Sequence, residues 1–156
     1  MGSFSFKSSG VTQQTTPTNN LVVTPTPIGI VTPLSLGDNE LLKTNIDMGV
    51  QLADNLRNLI QTNFGERLGL YNYGANLKPL LTDLVSPDDF DSQAITRIKT
   101  AVTRWMPYID LIDFLSNFST SGKVTKGIAE VTLTITYNIP SLNIKDKKIR
   151  VTLYAI

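Results

Sequence analysis

The sequence contains neither cysteine nor histidine. That excludes disulfides, the common cysteine and histidine zinc sets, thiolate nucleophiles and Ser-His-Asp triads. It also removes the side chain best suited to proton transfer near neutral pH, leaving Asp, Glu, Lys and Tyr for any acid–base chemistry. Charge is sparse: 17% of the 156 residues are charged and the net charge is +1. No global field therefore draws in nucleic acid or an anionic membrane. No apolar run approaches the ~20 residues of a membrane span. The start, Met1-Gly2-Ser3-Phe4-Ser5-Phe6, lacks the apolar core of a signal peptide, and Phe6 stands where myristoylation needs Ser or Thr. No glycine-rich phosphate loop follows a strand pattern. The expectation is a protein made in a cytoplasm, with no cofactor, no metal, no nucleic-acid partner and no membrane partner.

What is present is enough apolar material for one core, 41% of the chain. Composition changes near residue 40. Residues 1–37 carry a single charge, Lys7, and many Thr, Ser, Asn and Pro; Pro17, Pro25, Pro27 and Pro33 break any helix. The segment also holds β-branched runs, Leu21-Val22-Val23 and Ile28-Gly29-Ile30-Val31, which suit a strip that orders by lying on something else. Fully extended, about 40 residues reach roughly 130–140 Å, against a radius of gyration near ~13 Å for a domain of the rest. Two parts are expected: an extended N-terminal arm, 1–43, with Val22, Val23, Ile28 and Ile30 as contacts, and a domain, 44–156.

Within that domain Ile46, Val50, Ala53, Leu56 and Ile60 recur at helical spacing, with Thr44 or Asn45 as cap and a polar face of Asn45, Gln51, Asp54, Asn58 and Gln61. Gly65, Gly69 and Gly74 then punctuate a turn-rich stretch. Leu77, Leu80, Leu81 and Leu84 mark a short helix. Ser86-Pro87-Asp88-Asp89 is a helix start, Phe90, Ala94, Ile98, Ala101, Val102 and Trp105 its buried stripe, and Pro107 its stop. Tyr108–Leu115 reads as a strand, with a polar turn at 119–122. Ala129–Tyr137 and Ile149–Ala155 alternate apolar and polar residues as half-buried strands, joined by a connection over 138–147. The fold class is α+β, about three helices on a small, mostly antiparallel sheet.

The carboxylates Glu66, Asp83, Asp88, Asp89, Asp110 and Asp113 are the residues a hydrolase would use, but no spacing forces two of them across a cleft. Glu66 beside Arg67 is more simply a turn contact, and Asp88 and Asp89 serve the helix start. Lys145, Lys147, Lys148 and Arg150 form a short basic cluster without aromatic interleaving, better suited to a solvated tip or a guarded strand edge than to phosphate binding. Trp105-Met106-Pro107-Tyr108 reads first as core and second as an anchor for a partner, since Trp and Tyr are enriched at interface hot spots.

Taken in order, a helix, then Thr62-Asn63-Phe64-Gly65-Glu66-Arg67, then Gly74, Leu77, Leu80 and Leu81, then a long helix ending at Trp105 and Pro107, then strands, the chain resembles the baseplate wedge family of contractile phage tails. That family is named after gene product twenty-five and also called GPW or lysozyme-like; its relatives serve type VI secretion baseplates. Its members carry Glu-Pro-Arg where this chain has Met106-Pro107-Tyr108, so an ionic role for the motif does not carry over. The resemblance covers about two thirds of the chain and leaves the arm outside. It implies a structural protein and no enzyme, located in the virion. The partners would be other wedge proteins, the tail sheath protein and tube or hub proteins, in several symmetric copies. It implies an interaction role for Gly65, Glu66, Arg67 and for Trp105, Met106, Pro107 and Tyr108. Edge strands near 128–137 and 148–156, with Ile149, Val151 and Leu153, would template the sheath. Two alternatives stand beside it: a small wall hydrolase using Glu66, and an adaptor of a secretion baseplate.

Overall fold

The computed structural model describes residues 25–37, 41–82, 87–119 and 129–155. Val22, Val23, Asp83, Leu84, Ser86 and the turn at 120–122 lie outside them. The elements run β1 (Gly29–Ile30), β2 (Thr44–Asn45), α1 (Met48–Gln61), α2 (Lys78–Thr82), α3 (Pro87–Trp105), β3 (Asp110–Ser119), β4 (Ala129–Ile139) and β5 (Ile144–Ala155). The expected α+β class holds, with three helices and an antiparallel three-stranded sheet ordered β3-β4-β5. A second, two-stranded sheet, β1-β2, was not expected.

α3 forms where its sequence says it should. Asp88 and Asp89 lie in the first turn and Arg104 in the last, so each end of the dipole meets opposite charge. Phe90, Ala94, Ile98, Ala101 and Val102 are buried. The Met106 amide closes the end on the Val102 carbonyl, and Pro107 prevents continuation.

α1 begins later than its periodicity suggests. The cap is Asp47, whose Oδ1 accepts from the amides of Gly49 (2.7 Å) and Val50 (3.1 Å); Thr44 and Asn45 are taken up in β2. The buried face is Leu56, Leu59 and Ile60 with Leu52 and Ala53 beside them, whereas Ile46 and Val50 are exposed. Two members of the expected polar face, Asn45 and Asp54, are buried. The reason is the β1–β2 hairpin, which pairs Gly29 with Asn45 and Ile30 with Thr44 and covers that side of the helix. Its attachment is polar. Asp54 Oδ2 accepts from Asn45 Nδ2 (3.0 Å) and the Thr32 amide (3.1 Å), and Oδ1 from Arg57 (2.8 Å). The described part of the N-terminal segment thus folds back on the domain, and the 43/44 boundary falls at the first residue of β2.

In the main sheet Val131, Leu133, Ile135 and Tyr137 of β4 and Ile149, Val151 and Leu153 of β5 form the buried layer under the helices, each side chain contributing about 1.5–3 kcal/mol by leaving water. Register puts Leu133 opposite Val151 and Ile135 between Phe114 and Ile149. β3 starts at Asp110 and not at Tyr108, and runs on to Ser119. A bulge at Ile112, between Leu111 and Asp113, breaks its alternation. The connection from β4 to β5 is shorter than expected, a single helical turn at Pro140–Leu142 followed by Asn143 in the left-handed region, because residues 144–147 belong to β5.

Candidate functional site

Two of the sequence-selected groups converge. Residues 62–76 close into a compact loop between α1 and α2, laced from both ends. Glu66 accepts from the Asn63 amide (2.7 Å) and from Asn63 Nδ2 (2.9 Å). Asn63 Oδ1 in turn accepts from the Lys78 amide at the start of α2 (3.0 Å). The Gly65 amide reaches the Tyr71 carbonyl, the Asn76 amide reaches that of Thr62, and Arg97 of α3 donates to the Asn76 carbonyl. A loop with close ends and its own internal bonds is a common carrier of function. It holds Phe64, Leu68, Leu70 and Tyr71 outward, with Leu68 fully exposed and Tyr71 72% exposed.

The loop meets the end of α3 through Tyr73, a residue not singled out in the sequence. The Arg67 guanidinium lies 4.3 Å from the Tyr73 ring centre. Tyr73 meets Trp105 edge to face at 5.2 Å, and Arg104 lies 5.0 Å from the centre of a Trp105 ring. Arg67 and Trp105, far apart in sequence, are therefore joined in one row, the Tyr73 and Trp105 rings flanked by the Arg67 and Arg104 guanidinium groups. The signal available was the Tyr71-x-Tyr73-Gly74 spacing inside the glycine-rich stretch. Tyr108 is half exposed, and its hydroxyl is pushed above its usual range by partial burial, then by nearby Tyr73. Pro107 is exposed, while Met106 is buried, where an apolar side chain fits and a glutamate would be desolvated.

The strand group is placed differently. Ile149, Val151 and Leu153 point into the core, so only their backbone is left to meet another chain. β4 is no edge: it pairs with β3 on one side and β5 on the other, and the expected acceptor near 128–137 is already occupied. Among the described residues the free edges are those of β3 and β5. The basic cluster lies on β5 and not on a turn; Lys145, Lys147, Lys148 and Arg150 are all exposed, with Lys148 opposite Thr136 and Arg150 opposite Thr134. Ile28 and Ile30 are each 44% exposed on the β1–β2 hairpin.

Glu66 has the wrong environment for a general acid. Its pKa is lowered from 4.5, first by the Asn63 backbone bond and then by the Asn63 side chain, with Lys78 adding to them and slight burial opposing. Catalytic carboxylic acids are shifted upward. A folded-state value below the unfolded one means that the ionised side chain stabilises the turn above about pH 4.5, and that this contribution fades as pH falls through the folded value. NMR titration is expected to place Glu66 below 4.5. The melting temperatures of wild type and E66Q are expected to converge as the pH is lowered through that range. Glu66 and Lys78 share a surface cleft with Asn63, Thr152 and Tyr154, and among the described residues no second carboxylate lines it. No helix among the described residues is long and apolar enough to cross a membrane.

The antiparallel three-stranded sheet carrying three helices is an arrangement that solved structures share. One solved relative is a chain of the anti-feeding prophage baseplate, with a TM-score of 0.56 at 17% identity over 70% of this chain and 82% of the other. Another is a Geobacter sulfurreducens protein described as a tail lysozyme, with a TM-score of 0.55 at 18% identity over 70% of this chain and 93% of the other. No family model and no curated protein matches the sequence.

Proposed function

We propose that the protein is a structural component of a contractile-tail baseplate wedge that joins wedge subunits and nucleates the sheath through the free backbone edge of β5. The observation that carries this reading is the sheet itself. Its inner face is filled by its own helices, yet β5 keeps one unpaired side over Ile144–Ala155. An exposed edge accepts an extended strand by backbone hydrogen bonds, and the lysines along it discourage indiscriminate pairing. The likeness to a chain of a six-fold symmetrised baseplate supports a place in a repeated assembly. The loop with Leu68 and Tyr71 and the α3 end with Trp105, Pro107 and Tyr108 are assigned to wedge partners. The arm, 1–43, is assigned to neighbouring subunits, with Ile28 and Ile30 at its docked end and Val22 and Val23 beyond. The role is structural, with Glu66 as a turn cap.

Because the chain has no cysteine, one introduced thiol is a unique handle. In assembled particles R150C is expected to cross-link to the sheath subunit through a short maleimide–benzophenone photocrosslinker, which needs no thiol on the partner, and Q93C, on an exposed position of α3, is not. Particles made without the gene are expected to lack sheath by negative-stain electron microscopy. Complete tails without the protein would overturn the reading. If such tails also penetrated cells poorly, the wall hydrolase would take its place.

A further inference from the structure

Between α3 and the 62–76 loop lies a cleft of about 330 Å³, walled by Phe64, Asn76, Arg97, Thr100, Arg104 and Trp105. The charge in its lining is of one sign. Among the described residues both charged groups of the lining are arginines and no carboxylate borders it. Glu66, the nearest acid in sequence, is engaged by Asn63 and faces a different cleft. The acids of the α3 start, Asp88 and Asp89, lie at the other end of that helix. Arg97 and Arg104 are seven residues apart, so they share a helix face with about 10.5 Å between them along the axis. Arg97 is partly buried, and its Nη1 is fixed by the Asn76 carbonyl, which holds the guanidinium at the wall while leaving other donors of its fork. Arg104 lies over Trp105. The hydroxyls of Thr96 and Thr100 donate to the carbonyls of Ser92 and Thr96, so the strong donors left to a guest are the guanidinium groups.

We infer that this cleft binds an acidic segment of another protein, one Asp or Glu carboxylate seated between Arg97 and Arg104 with a neighbouring aromatic or leucine side chain against Trp105 and Phe64. Guanidinium groups match carboxylate geometry through paired donors. Flanking aromatic surface excludes water and strengthens the pairing. The size agrees: ~300 Å³ is the lower end for small-molecule pockets, room for a few side chains. Two arginines with one tryptophan are also the residue types that dominate interface hot spots. A strand of nucleic acid fits less well, since the chain carries a net charge of only +1 and a phosphate-binding groove draws on many cations. The inference deepens the wedge-docking part of the proposed function and is independent of the sheet edge, which the R150C cross-link tests.

Trp105 is the sole tryptophan, so intrinsic fluorescence reports on the cleft directly. The full chain is used to select binders from a random short-peptide library, and the selected peptides are titrated against wild type, R104E, R104K and R97K. Expected from a tryptophan-free library are peptides enriched in Asp or Glu next to Phe, Tyr or Leu, a saturable change in Trp105 emission, and binding to R104E at least tenfold weaker. R104K and R97K should fall in between, because lysine keeps the charge and loses the fork. Arg104 is exposed, so R104E should stay folded, its melting temperature lowered by only a few degrees through the lost dipole and Trp105 contacts. The inference is overturned if the peptides show no acidic excess, if R104E binds them as wild type does, or if none alters Trp105 emission. It is equally overturned if a short single-stranded oligonucleotide binds more tightly than they do.

Discussion

Replacing Gly74 by alanine is expected to destabilise the protein by more than about 3 kcal/mol, a large share of the roughly 5–15 kcal/mol that holds a domain of this size together. Gly74 is buried with φ at +114°, a region that costs any other residue about 1–3 kcal/mol. A Cβ there would also overlap the carbonyl oxygen of Thr62. That oxygen cannot move aside cheaply, because it accepts the Asn76 amide, and the Thr62 amide and hydroxyl are both held by the Asn58 carbonyl. Gly69 supplies the control. Its φ is +79°, but open space surrounds the position of a Cβ, so G69A should cost only about 1 kcal/mol. Urea unfolding followed by Trp105 fluorescence separates the two. Equal losses would show that the loop is not anchored at Gly74. Since Phe64, Leu68 and Tyr71 are displayed by this loop, the proposed docking role predicts that a protein weakened at Gly74 loses partner binding through the loop before it loses its sheet.

The residues that could be read from the sequence are those whose periodicity follows from one buried face. Phe90, Ala94, Ile98, Ala101 and Val102 recur at helical spacing because α3 covers the sheet. Val131 to Tyr137 and Ile149 to Leu153 alternate because their strands have one covered side. Alternation does not say which strand lies beside which, so β4 was assigned an edge that it does not have. At Ile112 the bulge shifts the pattern by one residue, so Leu111, Ile112, Phe114 and Leu115 give no clean period and the strand's limits were misplaced. The β1–β2 hairpin was invisible for a different reason. Its strands are two residues long, and it is tied to α1 by polar bonds through Asp54, a residue whose charge marks it as exposed in any pattern of hydrophobicity. The same holds for the site. Arg67 and Trp105 were each noticed, but their junction depends on Tyr73, which only the closure of the loop brings between them.

Asp54→Ala is expected to release that hairpin and to cost about 2–4 kcal/mol. Removing one partner of a buried ion pair typically costs ~3–5 kcal/mol, and the partial exposure of Arg57, at 30%, reduces the figure. The loss reaches further than the pair. With Asp54 gone, the Thr32 amide loses its acceptor and the Asn45 side chain keeps only its bond to Gln51, so the polar attachment of residues 25–45 to α1 is reduced to that bond and the long 3.4 Å one from Arg57 to the Thr32 carbonyl. The amides of Ile28 and Val31, paired to Asn45 and Lys43, and that of Lys43, paired to Ser35, should lose protection from hydrogen exchange almost completely. Leu133 in the central strand should lose only what the global change imposes. Asp54→Asn, which keeps one acceptor oxygen, puts a donor NH2 in place of the other and removes the charge, should fall between. Unchanged protection at Ile28 and Val31 in the alanine variant would show that the hairpin is held by something other than Asp54. The variant also separates the two proposed attachments to an assembly. It frees the docked end of the arm, with Ile28 and Ile30, while leaving Trp105, Arg104 and the cleft beside α3 in place. The variant should keep peptide binding at the cleft and lose the contribution proposed for the arm.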